Sequence, residues 1–334
     1  MSPAELIAAL PDGAMIIGRD GTIMAANYPA IDALQIEPRG LMAASLIRHA
    51  AFVSGVTEVR ATGQAMTIDI EIQSRPPRQF SAHVAPIGQS AELLVVLRDL
   101  TREQSIERMR SDFVANASHE MRTPLAAIIG TIETLQGPAK NDAKAREKFF
   151  DSMLVQARRM KRLIDDLLTL SRIELNEHVR PNARVDFQDV IRQAKSNLAG
   201  LAKENNVALE TTGAVATVVA GDADELLQVT QNLIENAIKY GGSGGSVQIS
   251  CRPENGQGAL HVRDFGRGIA EVHLPRLTER FYRVSTQESR ARGGTGLGLA
   301  IVKHIVSRHR GKLDVSSELG QGSTFTIVIP LYNT

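Results

Sequence analysis

Long apolar runs are missing: no stretch of the 334 residues approaches the roughly 20 consecutive apolar positions that a membrane-spanning helix needs. The N-terminus also lacks a basic segment leading into an apolar run, so no secretory leader is expected. The chain reads as cytoplasmic, either as a free protein or as the cytoplasmic portion of a membrane-anchored one. Cysteine is nearly absent. Cys251 stands alone, which excludes an internal disulfide and fits a reducing compartment. An excess of either charge is missing as well: 38 basic residues face 37 acidic ones, so no net field draws the molecule to nucleic acid or to an anionic membrane. Internal repeats are absent too. What is present is 43% hydrophobic residues, enough for the two or three compact units expected of this length.

Three textures divide the chain into residues 1–100, 101–178 and 179–334. The first alternates short apolar runs with turn signals. Pro11-Asp12-Gly13 precedes a strand at 14–17 and Asp20-Gly21 precedes another at 22–26. After a helical middle come strands at 66–72, 80–86 and 92–97. This predicts a small α/β domain ending in a sheet. From Arg102, apolar residues recur every three or four positions, at Ile106, Met109, Phe113, Ala117, Met121, Leu125, Ile128, Ile132 and Leu135, which predicts a long amphipathic helix. Gly137-Pro138 ends it, and a second helix carries Phe150, Met153, Ala157, Met160, Ile164, Leu167 and Leu170. Two such helices joined by a short loop form an antiparallel hairpin whose apolar stripe stays wet unless it pairs. A homodimer closing a four-helix bundle is the expected solution. Beyond Pro181, helices from 187, at 224–240 and at 297–309 alternate with strands at 207–210, 217–220, 247–251, 260–264, 312–317 and 324–329. That order predicts an α/β sandwich, and the whole is multidomain α+β.

His119 lies two residues from both Ala117 and Met121, so the helical period turns it about 200° from that core stripe, towards solvent. An exposed imidazole is an available nucleophile. Glu120 can take the proton from one ring nitrogen while the other attacks, and Thr123 shares the face of His119 one turn on. Pro124 removes a backbone donor and is expected to bend or loosen the helix just after.

A second group of residues suits a nucleotide. Asn232, Asn236 and Lys239 fall at i, i+4 and i+7 beside Tyr240, opposite an apolar edge of Val229, Leu233 and Ala237. Amide carbonyls suit a hard cation such as Mg²⁺, the ammonium suits phosphate, and the ring can stack on a base. Asp264-Phe265-Gly266-Arg267-Gly268-Ile269 leaves a strand with a carboxylate able to accept from the exocyclic amine of adenine, while Gly266 and Gly268 let the backbone turn tightly. Gly294-Thr295-Gly296-Leu297-Gly298-Leu299 opens a helix, where free N–H groups and the positive dipole end favour phosphates. A dinucleotide fingerprint is set aside, because that motif follows the first strand of a βαβ unit and this one follows a late polar loop. Residues 275–293 are polar and basic, with a knot at Arg280-Phe281-Tyr282-Arg283-Val284. They read as a lid that orders over nucleotide, with Arg283 on a phosphate.

The run Phe113-Val114-Ala115-Asn116-Ala117-Ser118-His119-Glu120-Met121-Arg122-Thr123-Pro124-Leu125 resembles the phosphoacceptor box of histidine kinases. The later motifs resemble, in order and spacing, the asparagine, glycine and phenylalanine boxes of the ATP domain that those kinases share with Hsp90-type chaperones and DNA gyrase. Residues 1–100 resemble a PAS sensor domain, and the flanks of His119 are similar to those of phosphate-regulon sensor kinases. The resemblance implies a protein-histidine kinase that uses ATP to phosphorylate His119 and passes the phosphoryl group to an aspartate of a response regulator. It implies Glu120 as base and Thr123 as the residue orienting water in a phosphatase reaction. It further implies Asn236 on Mg²⁺, Asn232 and Lys239 at the phosphates, and Asp264 on adenine. An inner-membrane sensor cut down to its cytoplasmic portion fits equally well. An ATPase that does not phosphorylate itself and a non-catalytic dimeric scaffold are the rival readings.

Overall fold

The computed structural model describes residues 3–74, 77–88, 91–137, 142–176, 178–213, 215–285 and 294–332. The chain divides into two compact units, Met1–Ala115 and Asn116–Thr334.

In the first unit, strands β1 (Gly13–Ile17), β2 (Ile23–Ala26), β3 (Met66–Ile72), β4 (Arg78–Pro86) and β5 (Leu93–Asp99) form one antiparallel sheet in the order β2-β1-β5-β4-β3. Alternation decides which face is dry: Ile68, Ile70 and Ile72 of β3 turn inward to meet Phe80, Val84, Val95 and Leu97. Helices α2 (Tyr28–Leu34), α3 (Ala43–Leu46) and α4 (Ala50–Thr62) close this core with Ala33, Ala43, Phe52 and Val59. The opposite face of β1 is covered by Ile7 of α1 (Pro3–Ala8), so every residue of β1 is buried. Buried Asn27 is fully used: Oδ1 accepts from the Ala14 and Ala30 N–H groups at 2.8 and 3.0 Å, and Nδ2 donates to the Ile7 and Asp12 carbonyls at 3.0 and 2.8 Å. At the sheet's end, Asp99 pairs with Arg78 at 2.6 Å and accepts from the Thr101 N–H at 2.8 Å.

Helices α5 (Thr101–Gln136) and α6 (Ala143–Leu175) follow. Then come β6 (Ala183–Asp186), α7 (Phe187–Glu204), β7 (Ala208–Thr211), β8 (Val218–Gly221), α8 (Ala223–Gly241), β9 (Ser246–Glu254), β10 (Gln257–Asp264), α9 (Gly298–Arg308), β11 (Lys312–Glu318) and β12 (Gly322–Pro330). The main sheet of the second unit has the order β11-β12-β10-β9-β7, antiparallel except where β7 meets β9, and β6 pairs with β8 apart from it. Asp222 caps α8 by accepting from the Asp224 and Glu225 N–H groups. The apolar stripe of α8, Leu226, Val229, Leu233, Ile234, Ala237 and Ile238, is buried against α7, α9 and the sheet. Strand β6 escapes the apolar pattern because only Val185 of its four residues is buried.

The two long helices behave differently. Glu120 of α5 pairs with Arg159 of α6 at 3.0 Å, each sixteen positions from the helix end next to the loop, as an antiparallel hairpin requires. Pro124 sits buried inside α5, whose helical span runs through it. Of the expected α5 stripe Ala117 is buried, whereas Leu125 is 46% and Ile132 37% exposed. The side chains of Ile106 and Met109 lie outside the described residues. On α6 the expected stripe is buried at Leu170 and exposed at Phe150 and Ile164, as a hairpin without its dimer partner requires, and Leu163 and Ile173 are buried in addition. Helix α9 packs against α6 and so removes a further face of it from water.

Candidate active site

The polar face of α8, the turn after β10 and the turn before α9 converge on one cavity. Helix α8 contributes Asn236, Lys239 and Tyr240, the end of β10 contributes Asp264, and the turn after it contributes Gly268 and Ile269. Arg283, Gly294, Thr295 and Gly296 line it from the segment before α9, and Gly298 and Leu299 from α9 itself. Four predicted residues stand off this wall. Asn232 is one helical turn away, with its Nδ2 buried and without a hydrogen-bond partner. Gly266 donates its N–H to Asp264 Oδ1 at 2.9 Å. Phe281 adopts a positive φ of 63° and donates its N–H to the Gly296 carbonyl at 2.8 Å. Leu297 is fully buried in the core. Gly266, Phe281 and Leu297 shape the wall rather than line the cavity, whereas Asn232 keeps a free donor beside it. Of the predicted lid, residues 286–293 lie outside the described residues.

Asp264 is 5% exposed, and burial pushes its carboxyl above the usual range against the opposing hydrogen bonds from Gly266 and Ser323. Two glycines are required here, each by a positive φ and by the lack of room for a Cβ. Gly268 has φ +69°, and a Cβ on it would lie 2.0 Å from the Glu318 carbonyl oxygen. Gly296 has φ +77°, and a Cβ there would approach Phe281 Cα to 2.9 Å.

Several wall residues carry no motif signal. Arg162 and Asp166 reach the cavity from α6, far away in sequence. Arg162 lies 3.7 Å from Glu235, which also holds Lys239 at 2.5 Å. Thr295 Oγ1 donates to Asp166 Oδ2 at 2.7 Å. Burial, with Glu235 and Asp165 nearby, raises the Asp166 carboxyl above its ordinary value despite the Thr295 hydrogen bond and Arg162. Tyr282 also lines the cavity, its hydroxyl 2.7 Å from His273 Nδ1 and its ring beneath Arg276 at 4.3 Å.

His119 is exposed, as its angular position predicts. Thr123 Oγ1 donates to the His119 carbonyl at 3.3 Å. The side chain of Glu120 points into the unit, where its Oε2 accepts from Arg159 at 3.0 Å and from Arg283 at 3.0 Å. The Arg283 side chain is 3% exposed, also donates to the Thr295 carbonyl at 2.8 Å, and keeps its Nε buried without a hydrogen-bond partner. The residue beside the exposed imidazole thus touches a cavity-wall cation. Unused buried donors on Asn232 and Arg283 fit a ligand rich in acceptor oxygens, as a polyphosphate is.

Two family models match the chain. The histidine kinase-, DNA gyrase B- and HSP90-like ATPase family matches residues 221–333, and the histidine kinase A phosphoacceptor domain matches residues 109–176. The phosphate regulon sensor protein PhoR of Pseudomonas aeruginosa is 36% identical over 325 residues, covering 96% of this chain and 72% of that protein. The sensor protein SrrB of Staphylococcus aureus is 31% identical over 336 residues, and there the chain spans 98% of its own length and 55% of its relative's. The solved histidine kinase ThkA, from a complex with the response regulator protein TrrA, aligns over 99% of this chain and 98% of that one. Its TM-score is 0.51 at 18% identity, a likeness of fold alone. Among the described residues, no helix is long and apolar enough to cross a membrane.

Proposed function

This chain belongs to the sensor histidine kinases of two-component systems, and on that premise we propose that His119 is the residue phosphorylated from ATP and the donor to a response regulator's aspartate. The observation that carries this reading is the connection from exposed His119 through adjacent Glu120 to Arg283 on the cavity wall. In the forward step one imidazole nitrogen attacks the γ-phosphorus, the N–P bond forms, and the bond to the ADP oxygen breaks. Glu120 takes the proton that the other ring nitrogen gives up. Catalysis comes mainly from position and charge. Asp264 accepts from the adenine amine, Tyr240 and Ile269 flank the base, and Asn232, Lys239, Arg283 and the turn from Gly294 to Gly298 attend the phosphates. Mg²⁺ would be held by Asn236 and would supply charge neutralisation on the phosphate oxygens.

The acceptor of the second step is the aspartate of a response regulator, to which phosphohistidine gives up its group as the N–P bond breaks. Thr123 orients water if the enzyme also dephosphorylates that regulator. Residues 1–100 form a PAS sensor domain, a reading supported by the sheet order β2-β1-β5-β4-β3 with α2, α3 and α4 on one face. Residues 101–178 form the dimerisation and phosphotransfer hairpin, and residues 179–334 form the ATP domain. Exposed Val114, Leu125, Ile129, Phe150 and Leu154 support a homodimer that buries them in a four-helix bundle. The test is His119→Gln with γ-labelled ATP. Loss of acid-labile label with nucleotide binding retained is expected; undiminished labelling would overturn the assignment.

A further inference from the structure

The donors assigned to phosphate already hold two carboxylates, and both come from the helical hairpin. Thr295 lies in the turn that opens α9, and its hydroxyl donates to Asp166 of α6 at 2.7 Å. Arg283 donates to Glu120 of α5 at 3.0 Å. The two donors also touch one another, because the Arg283 Nη2 reaches the Thr295 carbonyl at 2.8 Å. Both acceptors are carboxylate oxygens, the side-chain oxygens that resemble phosphate most closely in charge and hydrogen-bonding capacity.

We propose that Asp166 is a specificity-determining residue that stands in for the terminal phosphate, so that the hairpin and the γ-phosphate of ATP compete for Thr295 and Arg283. This rests on the reading of the cavity as an ATP site. The competition is local. Lys239 and Arg162, both on the cavity wall, pair with Glu235, and Arg162 is the cation that partly offsets the Asp166 charge. Like charges at such short range repel strongly in a partly dry site. Burial already raises the Asp166 carboxyl above its ordinary value, so its charge is held there at a desolvation cost that the Thr295 hydrogen bond only partly offsets. ADP ends one phosphate earlier and leaves the carboxylate in place. ATP therefore releases α6 from the α9 turn, whereas ADP leaves it docked, and release also frees Glu120 from Arg283. By reciprocity, docking weakens ATP more than ADP.

The test uses the full chain in the His119→Gln background, so that bound ATP is not consumed, with Mg²⁺ present throughout. Calorimetry measures the dissociation constants for ATP and ADP before and after Asp166→Asn, which keeps the shape and removes the charge. The expected result is ATP binding tightened about tenfold, within the usual range of coupling between linked sites, and ADP binding changed less than about twofold. An unchanged ATP-to-ADP ratio overturns the inference, and so does equal weakening of both nucleotides, which would mark Asp166 as structural. Hydrogen exchange provides a second readout that needs no substitution at Asp166: faster exchange in residues 159–170 with ATP than with ADP supports competition, and equal exchange overturns it. A parent chain that binds neither nucleotide would overturn the ATP-site reading itself, and the inference with it.

Discussion

Helices α8 and α6 are both amphipathic, yet they satisfy their apolar faces in different ways. Helix α8 buries Leu226, Val229, Leu233, Ile234, Ala237 and Ile238 within its own chain. Helix α6 buries Leu163, Leu170 and Ile173 but leaves Phe150, Leu154, Val155, Ile164 and Leu168 wet. The difference teaches where each helix finds its partner. Helix α8 is a wall built once, with its polar face fixed around a cavity. Helix α6 serves two partners, α9 on one side and, on the dimer reading, a second copy on the other.

Substitution can break this contrast directly. Leu233→Ala in α8 is expected to lower unfolding free energy by about 2–5 kcal/mol, because a fully buried leucine leaves a cavity; urea titration measures it. Asp264→Asn, on the same wall, replaces a carboxylate acceptor by an amide and should weaken ATP about 10- to 100-fold, the value of one hydrogen bond to a charged group. Isothermal titration measures that loss, and unaltered affinity would remove Asp264 from base recognition. Leu154→Ser on α6 should leave the stability of a single chain within about 0.5 kcal/mol while raising the dimer dissociation constant, as read by analytical ultracentrifugation. If it instead unfolds the chain as Leu233→Ala does, the contrast between the helices fails.

A smaller effect sharpens the comparison at the far end of α9. His309 is fully buried, its Nε2 accepting from the Asp222 N–H at 3.0 Å and its Nδ1 lying 2.8 Å from the Ile305 carbonyl. Burial is the main cause that pushes its pKa below the ordinary 6.5. The unfolded chain therefore takes up the proton first, so the stability this neutral ring contributes is present above pH 6.5 and is lost as pH falls below it. Asp166, Asp264 and Glu225, pushed up by their partial or full burial, slope the other way in the acid range. Thermal melts of the parent and His309→Gln are thus compared from pH 5 to 8, and the slope near pH 6.5 is expected to flatten in the variant.

Much of the wall was legible because its chemistry is written in backbone demands. Gly268 and Gly296 have positive φ and no room for a Cβ, and Asn236, Lys239 and Tyr240 follow the helical period of α8. Strand β3 was readable to both ends because Ile68, Ile70 and Ile72 alternate with exposed polar neighbours. Arg162 and Asp166 were not legible. On α6 they occupy a face that looks solvated, and only the docking of α9 and the Thr295 turn gives them partners. Arg78 shows the same limit at smaller scale: β4 starts there, two residues before its apolar pattern, with the guanidinium held by Asp99 and Asp32 from distant positions. Long-range polar pairing leaves no periodic trace.

The most direct measurement is to incubate the full chain with Mg-ATP, digest it at neutral or alkaline pH, and locate the phosphate by mass spectrometry. Phosphate on the peptide containing His119, lost on acid treatment, is the predicted result. Phosphate on another residue, or ATP turnover with none on the chain, would contradict the account.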